Sequence, residues 1–211
     1  MKNWLLIAVA GVVTGAVGFT LIQQVSAPHS SGNRVGDAQA ATPATVVALP
    51  DFSLPNRAGE KQSIRSWPGK SMIINFWATW CAPCRKEIPL LKEIAKEQSK
   101  DGFQVVGIAI DFRDDVLKYA DEIKMDYPLL IGEQEGLAAA DAFGVNAAGL
   151  PFTVFTDARG RIVTLLMGEL TREKSKIILA GVQRVNKGEL TPDAARGSIA
   201  SALGKLPMSA H

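Results

Sequence analysis

Metal-binding side chains are scarce in this chain: its 211 residues hold two cysteines and two histidines. The cysteines form a single C-x-x-C, Cys81 and Cys84, while His29 and His211 lie far from it in sequence. The four ligands of a structural zinc site are therefore not at hand. Also missing is the set of several cysteine pairs that staples a small secreted fold. A purely structural Cys81–Cys84 bridge would close so short a loop that the chain-entropy argument gives it its smallest stabilisation. No excess of one charge is present either: 23 Lys and Arg face 21 Asp and Glu, for a formal net charge of +2. With no basic run interleaved with aromatics, nothing suggests a nucleic-acid surface. There is no internal repeat, and the chemistry open to a lone C-x-x-C requires no cofactor.

One long stretch lacks charge altogether. Residues 4–22 are apolar or small, with Lys2 before them, and about 20 such residues cross the roughly 30 Å of a bilayer core. The run is longer than the ~7–15 apolar residues of a secretory signal. Small-residue cleavage sites at residues 25–27 and 38–40 are poorly placed: Pro28 follows the first, and the second lies well past the apolar run. An uncleaved anchor over residues 1–25 is expected, with a removed signal as the alternative. Lys2 and the amino group before the span, against Arg34 and Asp37 after it, favour the N-terminus inside. Residues 26–45, rich in Ser, Ala, Gly, Thr and Pro, read as a flexible tether.

The folded domain is expected over residues 46–187. Residues 50–54 and 62–64 flank a turn at 56–59 and predict an N-terminal hairpin. Residues 71–77 read as a buried strand, and 82–100 as an amphipathic helix with Ile88, Leu91, Ile94 and Ala95 on one side and Pro89 as a kink. A second buried strand at 103–110 and a helix at 114–124 follow, and strand, helix, strand implies parallel pairing. Then come a short strand at 128–131, an Ala-rich helix at 135–143 and a hairpin over 152–167. A helix over 171–185 with Thr171 as N-cap closes the domain. Beyond it, residues 188–211 carry a helix-start signal at Thr191-Pro192-Asp193 but few large apolar residues, and are expected to pack weakly.

Only a thiolate attacks a disulfide, so a redox cysteine needs its charged form stabilised. A cysteine just before a helix faces unpaired N–H groups and the positive end of the helix dipole. Cys81 is so placed and is expected to be the exposed nucleophile. Cys84, three residues on, is placed to resolve a mixed disulfide and to be the more buried. Pro83 suits the first helical turn, where its missing N–H is not needed.

Residues 76–89, Phe-Trp-Ala-Thr-Trp-Cys-Ala-Pro-Cys-Arg-Lys-Glu-Ile-Pro, resemble the active site of the thioredoxin superfamily, and most nearly its TlpA/ResA-like branch. The likeness extends over residues 50–186, through Pro-Asp-Phe-Ser-Leu at 50–54, residues 105–111, and Gly-Leu-Pro-Phe-Thr-Val-Phe at 149–155. It implies an α/β thioredoxin-like fold with an N-terminal β-hairpin extension and one N-terminal transmembrane helix. It also implies a disulfide between Cys81 and Cys84, and a cis proline at Pro151 which, with Leu150, Trp80, Ala82 and Pro83, meets the substrate chain. Glu87 falls three residues after Cys84, where the ResA-like branch carries an acidic residue that tunes the thiols and handles a proton. A solvated helix carboxylate is the plain alternative, allowed equally by spacing. Asn75 stands where thioredoxin has a buried, proton-shuttling aspartate; an amide cannot titrate, which makes Glu87 the more attractive proton carrier.

The resemblance implies an extracytoplasmic, membrane-tethered reductase of client disulfides. Its clients would be apocytochrome c or copper-centre cysteines, and a transmembrane partner would supply its electrons. A disulfide-forming oxidase would use the same residues, and a copper or apoprotein chaperone would use the two thiolates without turnover. For that last role Met125 and Met167 are the nearby soft side chains, and neither forms a motif with the cysteines. A peroxidase is disfavoured, since Ala78 stands where peroxiredoxins place Thr or Ser three residues before the reactive cysteine.

Overall fold

The computed structural model describes residues 48–146 and 149–207. The expected anchor at 4–22 and the tether at 26–45 lie outside them; among the described residues no helix is long and apolar enough to cross a membrane.

A five-stranded mixed sheet runs in the order β5-β4-β3-β6-β7. At its centre is β3 (Ser71–Trp77), an unbroken apolar run save for Ser71 and Asn75, with every residue buried. A strand covered on both faces needs such a run. It pairs parallel with β4 (Phe103–Ala109), from Ser71 opposite Phe103 to Trp77 opposite Ala109. β5 (Leu129–Ile131) continues the parallel half beyond β4. On the other side β6 (Phe152–Thr156) and β7 (Ile162–Met167) form an antiparallel hairpin, with β6 antiparallel to β3. The turn closes through the Asp157 carboxylate, which accepts from Arg159 N at 3.0 Å and Arg161 N at 2.9 Å, with Gly160 at φ +74°. A separate antiparallel pair, β1 (Ser53–Pro55) and β2 (Lys61–Ser63), bridges to the β5 edge at Asn56 and Leu130.

Helices cover both faces. On one lie α1 (Ala82–Gln98), α2 (Arg113–Glu122) and α4 (Arg172–Asn186), with Cys84, Ile88, Leu91, Val116, Ile178 and Val182 among the side chains packed against Ile73 and Trp77. On the other, α3 (Gln134–Asp141) joins Leu54 and Ile64 over Ile74, Phe76, Val106 and Ile108. The alternation along β3 sends odd and even positions to these two cores. α1 continues through Pro89 as one element, and Thr171 caps α4, its Oγ1 accepting from Lys174 N.

The C-terminal segment departs from its expected weak packing. Pro192–Leu203 forms a helix, α5, capped by Thr191 Oγ1, which accepts from Ala194 N at 3.2 Å. Ala195 and Ile199 are buried in the main core. The helix has few large apolar residues, and its Ile199 reaches α4 closely because Gly181 there carries no side chain. At Gly181 of α4 a β-carbon would come within 2.6 Å of Ile199 Cδ1. On its other side Arg196 donates to the carbonyls of Val163 (3.1 Å) and Ile162 (3.0 Å) on β7.

Candidate active site

β3 ends at Trp77, and the chain makes a short turn into α1. That turn is pinned by Asp111, which follows the C-terminal end of β4. One carboxylate oxygen accepts from the backbone N–H of Thr79 at 2.9 Å and from its hydroxyl, and the other accepts from Phe112 N at 2.8 Å. Ile110 N donates to Trp77 O at 2.9 Å, extending the β3–β4 pairing to the edge of the turn. The parallel register thus fixes where α1 begins.

Cys81 is the N-cap of α1, with extended backbone, and its Sγ accepts from Cys84 N at 3.3 Å. This is the role an N-cap oxygen ordinarily fills, and it turns the sulfur toward the unpaired donors of the first turn. Cys81 and Cys84 are joined by a disulfide, with Cα atoms 5.3 Å apart. Cys84 is the more buried, as expected. Cys81 itself is only 5% exposed, contrary to the expectation of an exposed nucleophile: bonded to Cys84 and capping the helix, its side chain folds in over the first turn. Ala82 and Pro83 are exposed between the two, and Trp80, just before them, is 66% exposed. Trp77 is wholly buried.

Glu87 is no solvated carboxylate. At 1% exposure it lies inside the domain, its Oε1 accepting from Asn75 Nδ2 at 2.6 Å and its Oε2 from Leu170 N at 2.6 Å. Burial pushes its carboxyl up to about 7; the two hydrogen bonds oppose this without offsetting it. Asn75 also donates to Thr153 Oγ1 at 3.1 Å, so the amide links β3, β6 and α1. Nearby, burial and then the Glu87 charge push the Tyr127 phenol up, holding it protonated.

Pro151 precedes β6, and the pairing of Phe152 with Phe76 sets it beside the C-terminal end of β3, the end that leads to Cys81. The Leu150–Pro151 bond is cis. Pro151 is buried and its carbonyl accepts from Gly168 N at 2.8 Å, while Leu150 stays half-exposed. Met167, 50% exposed, lies close above Gly149, whereas Met125 is buried in the core.

Sequence reasoning overlooked three contributors. Asp111 had a readable signal, an acidic residue ending an apolar strand parallel to the cysteine-bearing one. Thr153 and the Leu170 amide had none, because only the closed fold carries them to Glu87.

Comparison with known proteins agrees with this geometry. Residues 47–165 match the AhpC/TSA family. The thioredoxin-like protein YneN of Bacillus subtilis (strain 168) is 31% identical over 178 residues, 82% of this chain and 95% of that protein. The thiol-disulfide oxidoreductase ResA of Geobacillus thermodenitrificans is 29% identical over 147 residues, 67% of this chain and 82% of its own length. Among solved structures, a thioredoxin-family thiol:disulfide interchange protein from Chlorobium tepidum TLS superposes with a TM-score of 0.55 at 27% identity, covering 77% of this chain and all of that one. The chain belongs to the AhpC/TSA family, within the TlpA/ResA-like thioredoxin superfamily, and is a thiol-disulfide oxidoreductase.

Proposed function

We propose that the protein is a membrane-tethered, extracytoplasmic reductase that passes two electrons from Cys81 and Cys84 to the disulfide of a client protein. In the reduced protein the Cys81 thiolate attacks one client sulfur; a Cys81–client disulfide forms and the client's other sulfur leaves as a thiolate. Cys84, having lost its proton, then attacks Cys81 Sγ. The second client sulfur leaves, the Cys81–Cys84 disulfide closes, and the client is reduced by two electrons. The bridged pair of the structure corresponds to the end of that sequence, which an electron donor must reverse.

The observation that carries the direction is Glu87, buried one helical turn beyond Cys84. With its carboxyl at about 7 it is partly ionised at neutral pH, and that charge disfavours thiolate at the neighbouring cysteines, against the helix dipole. A less stabilised thiolate makes a better reductant; strong oxidants owe their power to a stabilised reduced form. In this reading Glu87 takes the Cys84 proton, which the Asn75 amide cannot. Cysteines of apocytochrome c or of a copper centre are the clients we infer, with a transmembrane protein as donor and residues 4–22 as anchor. Leu150, Pro151, Trp80, Ala82 and Pro83 would meet the client chain.

Equilibrating the pair against redox buffers tests the direction: a potential of about −270 mV or lower supports the reductase, and one near −120 mV overturns it in favour of an oxidase. Cys84→Ser is expected to hold the client as a mixed disulfide through Cys81, and Cys81→Ser to abolish exchange. Capture through Cys84 would reverse the assigned order.

A further inference from the structure

Among the described residues only three large apolar side chains are strongly exposed: Trp80, Phe112 and Met167. All three lie at the disulfide end of the sheet. Trp80 precedes Cys81, and Met167 pairs with Phe152, next to Pro151. Phe112, 63% exposed, has its backbone N–H on the same Asp111 carboxylate that holds the Thr79 N–H. Trp80 and Phe112 therefore spring from backbone anchored to one side chain.

Phe112 is poorly suited to the structural place it occupies. It is the N-cap of α2, where Ser, Thr, Asp or Asn would accept from the first-turn N–H groups, and it makes no such bond. Its exposed ring adds apolar surface to water as well. Its neighbours hold it firmly: on one side are the Asp111 bonds, and on the other the Arg113 guanidinium donates to Asn56 O at 2.9 Å and to Arg57 O. A residue that weakens its helix, is shown to solvent and is fixed in position suits contact with something outside the domain.

We propose that Phe112 is a specificity-determining contact for the client. With Trp80 it takes a bulky apolar side chain flanking the reacting cysteine of an extended client segment. The proposal rests on Cys81 being the attacking sulfur: Trp80 adjoins Cys81 in the chain, and Phe112 shares the Asp111 anchor of that turn. An apolar client residue laid there removes both rings from water, which a polar one does not.

The test uses the reduced full chain and three oxidants: hydroxyethyl disulfide and two disulfide-linked peptides identical except for Leu or Ser beside the cysteines. Wild type is expected to reduce the Leu-flanked peptide about tenfold faster than the Ser-flanked one. Phe112→Ser is expected to abolish that preference while leaving the hydroxyethyl disulfide rate unchanged. By supplying the missing cap it should also raise the unfolding midpoint by about 2–4 °C. Phe112→Leu should keep most of the preference. The proposal is overturned by a wild type that treats the peptides alike, by an undiminished preference in Phe112→Ser, or by an equal loss on all three oxidants. It is also overturned if Phe112→Ser merely dissolves a self-association of the chain. Failure of the wild type to react with hydroxyethyl disulfide would strike the assignment of Cys81 beneath it.

Discussion

Glu87 gains a proton at a pH where exposed carboxylates have long lost theirs, and the consequence reaches the stability of the fold. The folded carboxyl ionises at about 7 against an ordinary 4.5. Below about 4.5 the group is protonated folded or unfolded and costs nothing. As pH rises toward 7 the unfolded chain releases this proton first, so stability falls, and above 7 the loss is complete. At about 1.4 kcal/mol per tenfold in the protonation constant, the loss is about 3 kcal/mol. Glu87→Gln should remove it: in denaturant titrations the variant should match wild type near pH 4 and exceed it near pH 8. The amide is accommodated because Gln keeps an acceptor for Leu170 N, and a half turn of the Asn75 amide brings its unpartnered Oδ1 to the new NH2. The same variant should lose any inflection near pH 7 in the rate of mixed-disulfide resolution. The helical face on which Glu87 lies was legible from its spacing after Cys84. Its depth was not, since the cover comes from the Leu170 amide, 83 residues away.

Elements with a single strong signal were readable in advance. β3 and β4 are mainly apolar runs, broken by Ser71 and Asn75 in β3 and by Gln104 in β4, and Thr171 marks the start of α4 as plainly in sequence as in the structure. α5 was half legible: Thr191 and Pro192 announced a helix, but its packing rests on Ile199 meeting Gly181 of α4, and so few large apolar residues give no clear hydrophobic period. Gly181 is the corresponding mark on α4, where Ile199 Cγ1 and Cδ1 stand 2.7 and 2.6 Å from the position of an added β-carbon. Gly181→Ala should therefore destabilise by about 1–3 kcal/mol through overpacking, although Ala favours a helix over Gly by about 1 kcal/mol. In an Ile199→Ala background the sign should reverse, because the clash goes and the helical preference remains. A double-mutant cycle read by denaturant unfolding measures the coupling directly.

For the molecule as a whole, the sheet gathers the chemistry at one end. The turn after β3, the second residue after β4 and the residue before β6 bring Cys81, Asp111 and Pro151 together at the C-terminal end of β3. The C-x-x-C and its resemblance made the chemistry legible. Asp111 was readable as an acid ending a buried strand, but its partner Thr79 was not, because parallel register joins residues about 30 apart.

The Arg196 guanidinium on the Ile162 and Val163 carbonyls also bears on what happens after the reaction. β7 is the outermost strand on its side of the sheet, and a client that has just lost a disulfide presents loosened, extended chain in search of backbone partners. An open edge would recruit that chain as an additional strand and hold it in a growing aggregate. Arg196→Ala should leave the reduction of small disulfides unchanged yet raise light scattering when a reduced, unfolded client accumulates. By occupying those carbonyls, Arg196 of α5 leaves less of the β7 edge open to an added strand.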